Sequence, residues 1–71
     1  MNLLKFTKKT SSGETIPCYV NIDSIVSFFC IGDLTYITLN NGTQHRIEGN
    51  YLSALAVIIK SATKGSVSSL D

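Results

Sequence analysis

Few side chains in this sequence can do chemistry, and their spacing limits what they can do. The single histidine, His45, stands beside the single arginine, Arg46, in the stretch YITLNNGTQHRI from Tyr36 to Ile47. A catalytic imidazole needs a nucleophile or an acid within hydrogen-bond reach and a third group to orient it. Nothing in the neighbouring sequence supplies either. The carboxylates Glu14, Asp23, Asp33, Glu48 and Asp71 fall one apiece in turns, strand ends and the tail. No pair of them has a spacing that favours acid–base work, and Asp23 and Asp33 read as turn residues. Cys18 and Cys30 lack the close spacing of a zinc clip and sit in apolar, strand-like runs, where cysteine behaves as a small hydrophobe. The glycines match no phosphate-cradling pattern. The expectation is therefore a protein that is not an enzyme, with no cofactor, no metal and no small-molecule substrate.

What His45 does depends on the hairpin that carries it. If Asn41-Gly42 formed a two-residue loop, Leu39 would face Gln44 and Ile37 would face Arg46, mixing apolar and polar residues on each side. A three-residue loop, Asn40 to Gly42, with a type I turn and Gly42 left-handed as a bulge, pairs Leu39 with Thr43, Ile37 with His45 and Thr35 with Ile47. Ile37, Leu39 and Ile47 then share a face with His45, and Gln44, Arg46 and Glu48 share the other. Burial selects this second register, because a one-residue slip exchanges the faces of a strand. His45 becomes a cross-strand partner of Ile37 at the rim of the core.

The elements around this hairpin follow from pattern. Leu4 and Phe6 alternate with Lys5 and Thr7, as in a half-buried strand, and KKTSSG (Lys8 to Gly13) turns the chain. ETIPCYV (Glu14 to Val20) resumes as a strand in which Pro17 cannot donate to a ladder, which puts it at an edge or a bulge. NID (Asn21 to Asp23) makes a corner. SIVSFFCI (Ser24 to Ile31) is apolar on both faces, with Ile25, Phe29 and Ile31 on one side and Val26, Phe28 and Cys30 on the other. Such a strand is either sandwiched within its own domain or covered by a partner. After a Gly32-Asp33 turn comes LTYITL (Leu34 to Leu39), rich in β-branched and aromatic residues. Gly49 ends the last strand. Asn50 caps a helix over Tyr51 to Ala62, whose stripe of Tyr51, Leu52, Leu55, Ile58, Ile59 and Ala62 packs on the sheet, and Gly65 terminates it. GSVSSLD (Gly65 to Asp71) is expected to fray.

Composition bounds the function. A chain of 71 residues is one domain with a thin core, burying only about 60% of its unfolded surface. Hydrophobic residues make up 44% and charged residues 15%, against roughly 25% charged in ordinary soluble domains. That apolar excess needs cover, from the helix or from another chain. The formal charge is +1, short of the cationic field of a typical nucleic-acid binder. No run approaches the roughly 18 apolar residues of a membrane span, and MNLLKFTKK reverses the order of a signal peptide. The expected setting is the cytoplasm, with both thiols free.

Three families share parts of this rhythm. VNIDSI (Val20 to Ile25), YITLNNGTQHRI and YLSAL (Tyr51 to Leu55) resemble the xLNxxxI segment, the xITLxNGxxxxV hairpin and the helix start of FlbD-type small flagellar proteins. The same segment is similar to the sheet of LytTR-type DNA-binding domains, although their basic C-terminal part is missing. KKTSSGET (Lys8 to Thr15) is similar to the basic first strand and GE pair of CsrA-like RNA-binding dimers, whose basic signature after the last strand is missing. These resemblances assign no functional residue.

The expected fold is α+β, a small antiparallel sheet of four or five strands in a meander with one C-terminal helix packed on one face. Residues 1–64 form the single domain and 65–71 a flexible tail. The expected function is a small interaction or regulatory module that associates with a second copy or another protein, with no role for a membrane. Its candidate interface residues are Val26, Phe28, Phe29 and Pro17. The alternative is a nucleic-acid-binding regulator using Lys5, Lys8, Lys9, Tyr36 and Arg46.

Overall fold

Two glycine-ended loops set the register of the first half of each hairpin. A computed structural model describes residues 2–70. Strand β1 (Leu3–Lys9) pairs antiparallel with β2 (Thr15–Asn21). Their loop is closed by Thr10 N to Glu14 O at 2.8 Å and Gly13 N to Thr10 O at 3.0 Å. Strand β3 (Ile25–Ile31) pairs with β4 (Leu34–Leu39), and β4 pairs with β5 (Gln44–Glu48). The β4–β5 loop repeats the first, with Leu39 N to Thr43 O at 2.8 Å and Gly42 N to Leu39 O at 3.0 Å. Gly42 adopts φ +88°, the conformation that the three-residue loop demands and that side chains disfavour. The observed pairs Ile37↔His45 and Thr35↔Ile47 are those that burial selects.

The strands do not form one meander. They divide into two three-stranded sheets, β2-β1-β6 and β3-β4-β5. The division falls at the corner after β2, where Asn21 Oδ1 accepts from Asp23 N at 3.0 Å and Ile22–Ser24 form a 3-10 turn. Ile22 is buried there and its N–H donates to Asn2 O at 2.8 Å. This turn re-aims the chain, so β3 pairs with β4 and not with β2. The α+β class holds, and the expectation of a single sheet of four or five strands gives way to six strands in two sheets among the described residues.

The segment expected to fray forms a strand instead. After the helix α1 (Leu52–Ser61), β6 (Val67–Ser69) runs parallel to β1, matching Leu3 with Val67 and Lys5 with Ser69. Leu3 N donates to Ser66 O at 2.9 Å and Leu70 N to Lys5 O at 3.0 Å, and Leu70 is buried in the core. The short polar sequence forms a strand because β1 offers a free edge and the core accepts one leucine. Asp71 lies outside the described residues.

The core draws on both sheets and the helix: Leu4, Phe6, Val20, Ile22, Ile37, Ile47, Leu55 and Leu70. Helix α1 inserts Leu55, with Ile58, Ile59 and Ala62 packed beside it, while Leu52 and Val57 face outward. It is shorter than the expected Tyr51–Ala62, and its start is tied down from two sides. Asn50 Oδ1 accepts from Leu52 N at 3.3 Å, and the buried Thr35 hydroxyl accepts from Tyr51 N at 2.9 Å.

Candidate functional site

A bulge decides which apolar residues of β3 face out. The register shifts between Ile25 and Ser27, so strict alternation fails by one residue. Ile25, Phe28 and Cys30 turn toward the core, whereas the sequence pattern places Ile25 with Phe29 and Ile31. Val26, Phe29 and Ile31 stay on the outside, at 62%, 41% and 63% exposure. Of the candidate interface residues, Val26 and Phe29 therefore share this surface, and Phe28 packs against the core. Pro17 lies on β2, which is the edge of the other sheet, as a residue without an N–H requires.

Directly paired residues of a sheet point the same way, so the outer face of β3-β4-β5 reads as three rows. These are Ile31–Leu34–Glu48, Phe29–Tyr36–Arg46, and Ser27 and Thr38 with Gln44. In the central row the Phe29 and Tyr36 rings are stacked, with centroids 5.0 Å apart and planes 13° from parallel. Apolar character thus concentrates along β3 and the polar and charged residues along β5.

At the β5 margin the two sheets meet. Beyond its last pair with β6, β1 approaches β5 through side chains: the Phe6 ring meets His45 edge-on at 5.5 Å, and Lys9 Nζ lies 3.9 Å from Glu48 Oε2. Thr7, Lys8, Lys9, Thr15, Arg46 and Glu48 line an open groove of about 220 Å³ there. Three of the five sequence candidates for nucleic-acid contact, Lys8, Lys9 and Arg46, are brought together in this groove, and a fourth, Tyr36, pairs with Arg46. Lys5 is not among them; it sits beside Tyr19 on the outer face of the β1 sheet. The cluster is invisible in sequence spacing, since 37 residues separate Lys8 from His45.

His45 is held from one side by Lys8. Lys8 Nζ lies 3.4 Å from its Nδ1, and an ammonium can only donate, so Nδ1 accepts and the ring proton sits on Nε2. Burial pushes the imidazole below its ordinary value, and the Lys8 charge pushes it the same way. A depressed histidine is neutral in the fold while the unfolded chain still binds a proton near pH 6.5. Its contribution to stability is full above that value and is lost as pH falls from there toward the folded value, below which the loss is constant. With one histidine in the chain, proton NMR reads its titration without ambiguity. The expected midpoint lies below 6.5, moving up in Lys8→Met; a midpoint at or above 6.5 in the native protein would contradict the part-buried, lysine-facing placement.

The thiols are free, with Cys30 Sγ 3.3 Å from Thr35 Oγ1. Among the described residues no group of three or more His, Cys, Asp or Glu side chains is placed to hold a metal ion, and no helix is long and apolar enough to cross a membrane. Comparison with known families, curated proteins and solved structures finds no match. The reading of function therefore rests on this chain's own surfaces.

Proposed function

We propose that this protein is a small, non-enzymatic interaction or regulatory module that self-associates through the outer face of β3-β4-β5, in the cytoplasm. The observation that carries this reading is the outward placement of Val26, Phe29 and Ile31 on one strand, backed by the stacked Tyr36. Soluble monomers rarely leave contiguous apolar surface of this kind open, and β3 is an edge strand of its sheet, whose exposed apolar side chains invite a second chain. Charge complementarity favours a second copy of this chain. Arg46 and Glu48 stand two residues apart on the same face of β5, so a twofold axis passing between them sets each against its opposite in the partner.

The test is solution mass across a dilution series. The native protein is expected to move from dimer to monomer on dilution. Phe29→Asp and Ile31→Asp each leave an unpaired charge in the contact, which weakens association at least tenfold, or about 1.4 kcal/mol. Far-UV circular dichroism should be unchanged, because neither side chain is part of the core. A strict monomer at the highest attainable concentration, or variants that associate as well as the native chain, would end the proposal. The alternative reading, a nucleic-acid-binding regulator, is favoured by one separate observation, the groove at the β5 margin.

A further inference from the structure

The groove between β1 and β5 concentrates positive charge in a chain whose net charge is close to zero. Lys8, Lys9 and Arg46 against Glu48 make its lining +2, whereas the whole chain carries +1, so the remainder nets −1. The cations differ in how they are held. Lys8 is pinned on the neutral His45, which orients its ammonium and leaves its charge uncompensated. Lys9 shares Glu48 at 3.9 Å in an exposed pair, the kind of contact that contributes little. Arg46 has no carboxylate partner among the described residues. An arginine free of carboxylates beside a fixed lysine is suited to a phosphate, whose oxygens match the guanidinium fork.

The second observation lies next to the first. Arg46 pairs with Tyr36, and Tyr36 stacks on Phe29, so one row leads from the cationic groove to an aromatic platform. Adjacent strands are about 4.8 Å apart, which places the platform roughly one to two strand spacings from Arg46. Cations that hold a phosphate, flanked by rings with an exposed face, are what a single strand of nucleic acid requires: electrostatic contact with its backbone and stacking for its bases.

We propose that the groove lined by Lys8, Lys9 and Arg46 binds the phosphodiester backbone of a single-stranded nucleic acid, with a base laid over Phe29 and Tyr36. This goes beyond self-association and does not depend on it. The outer face cannot hold a base and a second copy at once, so where both operate the nucleic acid shifts the protein toward monomer.

The experiment is fluorescence anisotropy of a labelled oligothymidylate with the full chain, at protein concentrations where the dilution series gives monomer, over a range of salt. Saturable binding is expected, weakening with salt at a log–log slope of about −0.7 per phosphate contact, hence near −2 for three cations. The double variant Lys8→Met, Arg46→Gln keeps the aliphatic stems and should lower that slope by about 1.4 in magnitude. Lys60→Met, Lys64→Met removes the same charge at the helix end and should leave the groove's contribution in place. Tyr36→Ala should weaken binding roughly five- to hundredfold with the slope unchanged. Lys9→Ala, an exposed change, provides a groove variant whose folding is not in question. Absence of binding at low salt, equal losses in the two double variants, or full displacement by inorganic phosphate at matched ionic strength would each overturn the proposal.

Discussion

Thr35→Val is expected to destabilise the protein by about 2–4 kcal/mol, although valine has the same shape and a better strand propensity. Thr35 is completely buried. Its hydroxyl donates to Gly49 O at 2.6 Å and accepts from Tyr51 N at 2.9 Å, with Cys30 Sγ also in reach at 3.3 Å. One side chain thereby joins the start of β4 to the residue after β5 and to the start of α1. Valine keeps the packing and removes both partners, leaving a carbonyl and an amide in a part-buried place without their hydrogen bonds, at a cost of about 1–3 kcal/mol each. The surroundings cannot relax easily. Gly49 sits at φ +118° with the Tyr51 ring packed against it and its N–H donating to Asp33 O at 2.6 Å, so the carbonyl cannot swing away without disturbing the helix start.

Thr35→Ser separates polarity from volume. Serine keeps the hydroxyl and loses one methyl, worth about 1 kcal/mol. The expected order of stability is native, then serine, then valine, the reverse of what hydrophobicity alone predicts. For a domain of this size each kcal/mol shifts the thermal midpoint by about 4–8 °C. The valine variant should therefore melt well over 8 °C below the native protein, and the Tyr51 amide should lose its protection from hydrogen exchange. A valine variant as stable as the serine variant would show that the hydroxyl is not the fastening.

How legible such features are in sequence depends on how local they are. The β4–β5 register was open to inference because only one of two loops puts Ile37, Leu39 and Ile47 on one face, and the structure has that pairing. Pro17 at a sheet edge follows from its missing N–H. The bulge beside Val26 is different: it inserts one residue in an apolar run where every position looks buried, so alternation misassigns Ile25 and gives no warning. The 3-10 corner that divides the sheets also looks like an ordinary turn. Strand β6 is least legible of all, since Val67–Ser69 owes its strand to an edge of β1 more than 60 residues earlier and not to its own propensity. The groove is non-local in the same way. Lys8, Lys9 and Arg46 could be singled out as basic residues, but their meeting follows only from the approach of β1 to β5.

Phe6→Ala is the substitution expected to do the greatest damage, because Phe6 links the core to that approach. It is completely buried at the middle of the central strand β1, paired with Cys18, and its ring meets His45 of the other sheet. Truncating a buried phenylalanine costs about 3–5 kcal/mol, part lost transfer energy and part cavity. A chain of 71 residues has only roughly 4–11 kcal/mol to lose at 0.05–0.15 kcal/mol per residue, so Phe6→Ala should sit near the edge of unfolding at room temperature. Phe6→Leu refills most of the space and should cost about 1.5 kcal/mol or less. Urea midpoints measure both. The leucine variant also tests the link to the groove. With the aromatic edge gone, water gains access to His45, and its NMR titration midpoint should rise toward the ordinary value while the fold persists. If Phe6→Ala lost under 1 kcal/mol, or if His45 titrated identically in Phe6→Leu and the native chain, Phe6 would not be the wedge between the sheets. The placement of Lys8 against the imidazole would then need another cause.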